Sequence, residues 1–431
     1  MTIGNTTLDI LTFIEANDIK FLRMQFCGLD GLSRNIAISS NQVENAIFYG
    51  IPFDASSVPG FEDAGCSDLL LKPDFKTIMV LPWRPQKGKV ARVLCDVVTP
   101  DGRPYEGDSR YILKQQVARL HRQGYTMNIG AECEFFLFQL GADGTPTMEP
   151  VDRAGYADLA PYDKGENTRR EIIFTLEEMG FDIESSHHES ADGQHEIDFK
   201  YSGALESADN IITFRNVVKT VAGRHGLHAT FMPKPLNGQA GSGMHINLSL
   251  TKDGENLFVG AASELSEAAR HFAAGVLHHV PGMMALTNPL VNSYKRLADG
   301  MEAPQRVNWG FGDRSAPIRI PAAEGEYCRM ELRSPDPACN PYLAFALIIA
   351  AGLEGMEEKR ALLPAIAEGG LGDPLPMTLK EAVEAMAADP LVAQVLGEDT
   401  AKRYERAKRE EWQCSIRTVN PWEIDAYRMK Y

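Results

Sequence analysis

Apolar positions along the first hundred residues switch between two periods. "LDILTFIEAND" (8–18) repeats them at helical spacing, while "FLRMQFCGL" (21–29), "TIMVLPW" (77–83) and "ARVLCDVV" (91–98) run apolar over strand lengths. "TPDGRPYEGDSR" (99–110) gathers turn residues and predicts a link. "SRYILKQQVARLHRQG" (109–124) then predicts an amphipathic helix ending at Gly124. Beyond it the pattern predicts a strand over 127–138, a helix over 164–180, a strand over 194–201 and a helix over 206–225. "HATFMPKP" (228–235) and "GMHINLSL" (243–250) predict a pair of strands, followed by a helix over about 263–281. "YLAFALIIAAGL" (342–353) is apolar on every side but shorter than the roughly 20 residues a bilayer requires, so it predicts a buried helix. Neighbouring strands that read as hairpin-linked, mixed with helices of middling length, predict an α+β fold. A small domain spans 1–104, and a larger one built on an antiparallel sheet spans 105–431.

Polar interruptions of the apolar runs carry the chemistry. "GAECEFFLF" (130–138) sets Glu132 and Glu134 in one apolar strand, where alternation points both the same way with Cα atoms about 6.5–7 Å apart. Two like charges there are costly unless something positive lies between them. "SHHESADGQHEIDF" (186–199) carries Glu189 and Glu196 around Gly193, with Glu196 and Asp198 on one strand face; His187 and His188 can be read as turn residues. "GSGMHINLSL" puts His245 on a strand after a glycine turn, and "CRMELRSPDP" sets Glu331 opposite Met330 and Leu332, between Arg329 and Arg333. Taken singly, a glutamate on a strand reads as a solvent-facing edge residue and His245 as a hydrogen-bonded core histidine. Together, five glutamates and one imidazole on apolar strands form an oxygen-rich set that suits Mg²⁺ or Mn²⁺ better than zinc.

Arg296, Arg314, Arg319, Arg329 and Arg333 fall in "NSYKRL", "DRSAPIRIP" and "CRMELRSP". Arginine forks match carboxylates and phosphates equally well. One reading makes them structural partners of the acids; the other, with divalent cations present, makes them ligands of a nucleotide phosphate and an acidic substrate. No GxxxxGK[ST] run occurs, so the site is not a P-loop.

Composition narrows the partners. The 431 residues are 44% hydrophobic and 24% charged, which describes an ordinary globular chain. Lys+Arg 43 against Asp+Glu 59 leaves −16, arguing against nucleic acid or an anionic membrane as partner. "MTIGNTTLDI" lacks the basic start of a signal peptide. Seven scattered cysteines with no CxxC pair fit a reducing cytoplasm rather than a disulfide framework.

These segments, joined by "FDASS" (53–57), "SDLLLKPD" (67–74), "ATFMPKP" and "RMELRSPDPACNPYLAFALIIAAGLEG" (329–355), resemble glutamine synthetase of the bacterial type I class nearly end to end. The resemblance implies an N-terminal β-grasp-like domain and a catalytic domain with a curved antiparallel sheet. It also implies a dodecamer of two stacked hexameric rings, with active sites between neighbouring subunits. It implies one Mg²⁺ or Mn²⁺ on Glu134, Glu189 and Glu196 and a second on Glu132, His245 and Glu331. The implied reaction has two steps: ATP phosphorylates the side-chain carboxylate of glutamate, and ammonia displaces phosphate from that acyl phosphate. By position, Gly241, Arg296 and Arg333 would bind glutamate, and Arg314 and Arg319 would stabilise the transferring phosphoryl group. Glu184, Lys200, Asn247, Ser249 and Arg329 would lie on the nucleotide side. Glu302, in "DGMEAP", would belong to a flap that shields the acyl phosphate, and Asp54 would enter the neighbouring subunit's site to bind and deprotonate ammonium.

The chain departs from the family pattern in several places, including the more acidic stretch "SSVPGFEDAGCSD" (56–68) after the Asp54 motif. Ala240 stands where Asn usually shapes the glutamate pocket, and Asp313 where Asn usually precedes "RS". "GGLGDPLP" (369–376) lies near where some type I enzymes carry an adenylylated tyrosine, so that control is not expected. Ala240 keeps open a γ-glutamyl ligase for another amine or a polyamine, while Asp54 favours ammonia. A binding or regulatory assembly without catalysis is the third reading; the complete ligand set and Arg296 weigh against it.

Overall fold

The computed structural model describes residues 6–61, 67–84, 87–260, 264–300 and 302–431. Helix α1 (Thr7–Ala16) opens with a reciprocal cap: Asp9 N donates to Thr6 Oγ1 at 3.2 Å and Thr6 N to Asp9 Oδ2 at 3.1 Å. Five strands follow, β1 (Ile19–Cys27), β2 (Ser33–Ser39), β3 (Ile51–Asp54), β4 (Asp68–Val80) and β5 (Lys89–Val98), with α2 (Val43–Tyr49) before β3. They form one sheet in the order β2-β1-β5-β4-β3, in which β1 and β5 run parallel and the other pairs antiparallel. Leu22, Met24 and Phe26 face its core from β1, as the alternation predicts.

The larger part begins at α3 (Ser109–Arg122). Its other helices are α4 (Glu166–Glu178), α5 (Ala204–Arg224), α6 (Glu267–Thr287), α7 (Ser293–Ala298), α8 (Pro341–Glu357), α9 (Leu379–Ala388), α10 (Pro390–Leu396), α11 (Glu398–Arg417) and α12 (Pro421–Tyr427). The predicted 263–281 helix starts and ends later, as α6, and residue 263 lies outside the described residues. Its strands are β6 (Tyr125–Cys133), β7 (Phe135–Leu140), β8 (Pro146–Pro150), β9 (Ile183–His188), β10 (Gln194–Phe199), β11 (Ser202–Gly203), β12 (Leu227–Thr230), β13 (Met244–Lys252), β14 (Glu255–Asn256), β15 (Trp309–Phe311), β16 (Ile318–Ile320) and β17 (Met330–Leu332). Hydrogen bonds divide them into two sheets: β12-β7-β10-β9 with β8 on β7, and β11-β6-β13-β17-β16-β15 with β14 on β13.

Two expectations are corrected here. The run 127–138 is not one strand: it breaks at Glu134 and feeds both sheets, so Glu134 leaves the alternation of β6 and its backbone N–H donates to Gly243 O at 3.2 Å. "HATFMPKP" and "GMHINLSL" are not strand partners, because β12 pairs with β7 and β13 with β6 and β17. Period-two patterning marks a strand but does not choose its neighbour.

The apolar run at 342–353 lies within α8 and is wholly buried; the helix is capped by Asn340, whose Oδ1 accepts from Tyr342 N at 3.0 Å. It packs closely on α6 because the crossing is built from glycine: a Cβ on Gly275 would stand 2.8 Å from Gly355 Cα. Among the described residues, no helix is long and apolar enough to cross a membrane.

A buried ionic hub joins the N-terminal sheet to this body. Arg110, 3% exposed, donates to both oxygens of Asp209 on α5 at 3.0 and 2.8 Å, to Asp96 on β5 at 2.8 Å and to Asp74 on β4 at 2.9 Å. Tyr342 Oη adds a bond to Asp209 at 2.7 Å, and Arg92 on β5 reaches Thr213 of α5 at 2.9 Å. These contacts fix where the sheet bearing Asp54 sits.

On the opposite side, His279 of α6 bridges two elements: its Nδ1 lies 2.8 Å from Asp389 and its Nε2 2.8 Å from Glu354. Burial opposes the imidazolium, yet the two carboxylates raise its pKa above the ordinary 6.5. A raised folded-state pKa contributes stability that is complete below the unfolded value and is lost as pH climbs through the folded one. The unfolding midpoint of wild type over His279→Gln should therefore shrink by on the order of 1–3 °C from pH 6 to pH 9. A thermal-melt series whose gap widens with pH would refute the pairing.

Candidate active site

Register builds the central face. β13 pairs antiparallel with β6 so that His245 faces Glu132, and with β17 so that Asn247 faces Glu331; Arg319 of β16 faces Glu331 in turn. Directly opposed residues share a face, so Glu132, His245, Asn247 and Glu331 project together. The alternate positions Met244, Ile246, Leu248 and Leu250 fill the core at 1% exposure or less. His245 Nδ1 lies 3.4 Å from Glu132, 3.8 Å from Glu331 and 3.9 Å from Glu134. One ligand atom each of Glu132, His245 and Glu331 falls within 4.8 Å of the others, a set able to hold a cation.

Glu134, at the break between sheets, is held from the other direction. Its Oε2 accepts from Gln194 Nε2 at 2.8 Å and from Gly243 N at 3.0 Å. Gly243 has no room for a side chain: a Cβ would stand 2.6 Å from His245 Nε2 and 2.8 Å from Arg296 Nη2. The β9–β10 hairpin supplies the rest. Its register sets His187 opposite Glu196 and Ser185 opposite Asp198 on one face, and His188 opposite His195 on the other. His187 and His188 are therefore strand residues, not turn residues. His187 Nε2 lies 2.7 Å from Glu189 and 3.7 Å from Glu196, and with Glu196 and Asp198 it forms a second cluster of ligand atoms within 4.8 Å.

More carboxylate charge gathers here than the protein alone stabilises. Burial, then the neighbouring Glu134, Asp198, Glu132 and Glu189, push the Glu196 pKa far up. Burial and Glu189 also raise Glu134, while the half-buried Glu132, despite the opposing effect of desolvation, is held down to about 2 by His245, Asn247 and Arg333. A divalent cation among these oxygens would relieve the repulsion, so the donor set fits a hard metal.

A third buried group, Asp152, Asp163, His188 and His195, has metal-like spacing too. Protein cations already occupy it. Arg169 lies 2.7 Å from Asp163 and donates to His195 Nδ1 at 2.9 Å. His188 faces Asp152 at 2.9 Å and Glu189 O at 2.7 Å, so both its nitrogens meet acceptors. This group backs the hairpin that presents Glu189 and Glu196.

Two cavities open on either side of the central face. One of about 420 Å³ is lined by Glu134, Glu189, Gly241, His245, Arg296, Glu302 and Arg333, with Asp192, Gln239 and Ala240 in its wall. The other, about 350 Å³, is lined by Glu132, Glu184, Asn247, Ser249 and Arg329, with Tyr201 and Tyr327. Lys200 is exposed beside Asp182 at 3.4 Å. Arg296, 5% exposed, donates to the carbonyls of Ser334, Pro335 and Arg333 at 2.9–3.2 Å. Arg319 and Arg333 each donate to Glu331 at 2.5 Å and hold it between them. Glu302 has φ +54°, accepts from Arg333 through its carbonyl at 3.3 Å and lies 3.6 Å from the exposed Arg314; Met301 beside it lies outside the described residues. Asp54 stands apart, exposed at the end of edge strand β3. Hydrogen bonds from Ser56, then Ser57, at 2.6–2.9 Å hold its pKa below the usual carboxylate range.

Sequence reading did not select Gln194, Asp192, Gln239 or Lys234 as site residues. Gln194 and Asp192 sit in the quoted run 186–199 and Lys234 in 228–235, where a polar side chain beside an apolar strand was the available signal; Gln239 lies between quoted runs and carried no such signal.

Comparison with known proteins agrees with this geometry. Residues 106–427 match the family model described as glutamine synthetase, catalytic domain, and residues 18–100 the one described as glutamine synthetase, beta-Grasp domain. Glutamine synthetase of Thermus thermophilus is 49% identical over 445 residues, covering 99% of this chain and 100% of that protein. That of Methanosarcina mazei is 46% identical over 436 residues, covering 98% and 97%. Among solved structures, GmaS in complex with ADP superposes with a TM-score of 0.89 at 33% identity, covering 99% of both chains. Plasmodium falciparum glutamine synthetase superposes with a TM-score of 0.90 at 25% identity, again covering 99% of both. The chain belongs to the glutamine synthetase family, enzymes of ATP-dependent glutamine synthesis.

Proposed function

We propose that the central face holds two divalent cations, Mg²⁺ or Mn²⁺: one on Glu132, His245 and Glu331, the other on Glu134, Glu189 and Glu196. The observation that carries this is a single acid-and-imidazole face shared by two cavities, one walled by Arg296 and Arg333, the other by Asn247, Ser249 and Arg329. The first cavity is the glutamate site and the second the ATP site. When bound, such cations neutralise phosphate charge and orient the reacting oxygens. Arg333 and Arg296 set the substrate side: Arg333 positions Glu331 and the Glu302 backbone, and Arg296, fixed by three carbonyls, braces the cavity floor. Arg314 and Arg319 stabilise charge on the phosphoryl group as it moves to the glutamate side chain. Glu302 borders the glutamate cavity, where exclusion of water protects the acyl phosphate until ammonia attacks.

Asp54 binds ammonium and takes its proton in the site of a neighbouring subunit. Its exposure and lowered pKa keep it charged, which suits the ammonium-binding half of this role. The assembly is a dodecamer of two hexameric rings, located in the cytoplasm, and the chain divides near residue 104. Ala240 shapes the glutamate side without displacing ammonia as the preferred amine. Steady-state kinetics with ammonium, methylamine and a polyamine test this. Ammonium should give the highest kcat/KM, and Asp54→Ala should depress ammonium turnover by roughly 10²-fold or more. Far better use of methylamine or a polyamine, or an Asp54→Ala enzyme as fast as wild type, would overturn the reading.

A further inference from the structure

Lys234 occupies a junction that the chemistry above does not use. It lies in the loop after β12, between Pro233 and Pro235, and is 7% exposed. One side chain clamps its backbone on both sides: Asn292 Oδ1 accepts from Lys234 N at 2.7 Å, and Asn292 Nδ2 donates to Lys234 O at 2.9 Å. Asn292 precedes α7, the helix that carries Arg296. The Lys234 ammonium reaches two more partners, the Gln239 carbonyl and the Asp299 carboxylate. Asp299 caps the far end of α7, three residues before Glu302. Gln239 Oε1 accepts from Asp192 N in the β9–β10 turn at 2.8 Å, and Gln239 Nε2 donates to Asp192 Oδ2 at 3.1 Å. Gln239, Asp192 and Glu302 all line the glutamate cavity.

One buried cation thus joins the cavity wall at 239–241 to the end of α7 from which the chain leads to Glu302. A buried ammonium persists only where acceptors surround it, and removing it leaves Asp299 and the Gln239 carbonyl without their partner. We propose that Lys234 is a positioning residue that, through Asp299, holds the glutamate-cavity wall and Glu302 in one fixed relation. The inference rests on the glutamate reading of that cavity. Its consequence is chemical. If Glu302 and the wall drift apart, water reaches the acyl phosphate. Water oxygen then bonds where ammonia nitrogen should, phosphate leaves, and glutamate is regenerated without glutamine.

The test compares phosphate released with glutamine formed in the full-length enzyme supplied with glutamate, ATP, Mg²⁺ and ammonium. Wild type should release one phosphate per glutamine. Lys234→Met should raise the ratio to about 2 or more and the KM for glutamate about tenfold, because small misplacements weaken alignment strongly. Asp299→Asn keeps Lys234 buried and folded, and should shift both quantities in the same direction by less. The double variant should be no worse than Lys234→Met alone, since the two residues act as one pair. Unit ratio and unchanged KM in Asp299→Asn, or additive effects in the double variant, would overturn the proposal. A wild type that makes no glutamine would instead sink the reading of the site.

Discussion

Replacing Glu134 by glutamine is expected to lower turnover by roughly 10²–10³-fold or more while leaving the protein at least as stable. The two halves of this result have separate causes. Glutamine keeps the shape, and its carbonyl still accepts from Gly243 N or Gln194 Nε2, which hold Glu134 now at 3.0 and 2.8 Å. It also removes a charge that burial and Glu189 both disfavour, so the folded state gains or stays level. Under the proposed two-cation reading, the active site loses an anionic ligand. If that ion supplies several kcal/mol of charge stabilisation, losing about 3–4 kcal/mol corresponds to a rate loss of 10²–10³. Thermal melts and Mg²⁺-dependent kinetics together check it. Turnover within tenfold of wild type at low Mg²⁺ would remove Glu134 from the metal set.

The largest stability loss should come from a residue with no part in the chemistry. Arg110→Ala is expected to cost about 3–5 kcal/mol, the range for breaking a buried charge network by deleting one partner. Three carboxylates converge on this guanidinium from β4, β5 and α5, and after its removal Asp209 keeps only the Tyr342 hydroxyl among these partners. Arg110→Lys should restore little, since one ammonium cannot span the fork that reaches both Asp209 oxygens and two further acids. Because the hub fixes the sheet that ends at Asp54, limited proteolysis between residues 99 and 108 should accelerate as well. As a control, Arg103→Ala breaks an exposed pair with Asp101 and should shift stability by less than about 1 kcal/mol. Denaturant titrations giving Arg110→Ala and Arg103→Ala the same small loss would contradict the hub's role.

The acids of the site were legible in the sequence because each violates the pattern around it. Glu132, His245 and Glu331 sit at polar positions of strands whose other face is core, and alternation alone aligns them once the strands pair. The pairing itself was not legible. Whether β13 lies against β12 or β6 depends on contacts more than a hundred residues away, which a period of two does not encode. The break at Glu134 was hidden for a similar reason: Cys133 and Phe135 are both apolar, and nothing local announces that they belong to different sheets. Gln194 and Lys234 escaped because an amide and an amine beside strands look like ordinary surface residues until their buried partners are known. Arg110 drew no reading from the sequence, because a helix pattern does not mark which arginine is buried; the contacts of α3 with α5 and β5 make it a hub.

The most direct measurement of the central claim is an anomalous difference map from crystals grown with Mn²⁺. Two peaks are predicted per subunit, one within coordination distance of Glu132, His245 and Glu331, the other of Glu134, Glu189 and Glu196. A map with no peak on that face, or with manganese bound only at surface carboxylates, would contradict the account.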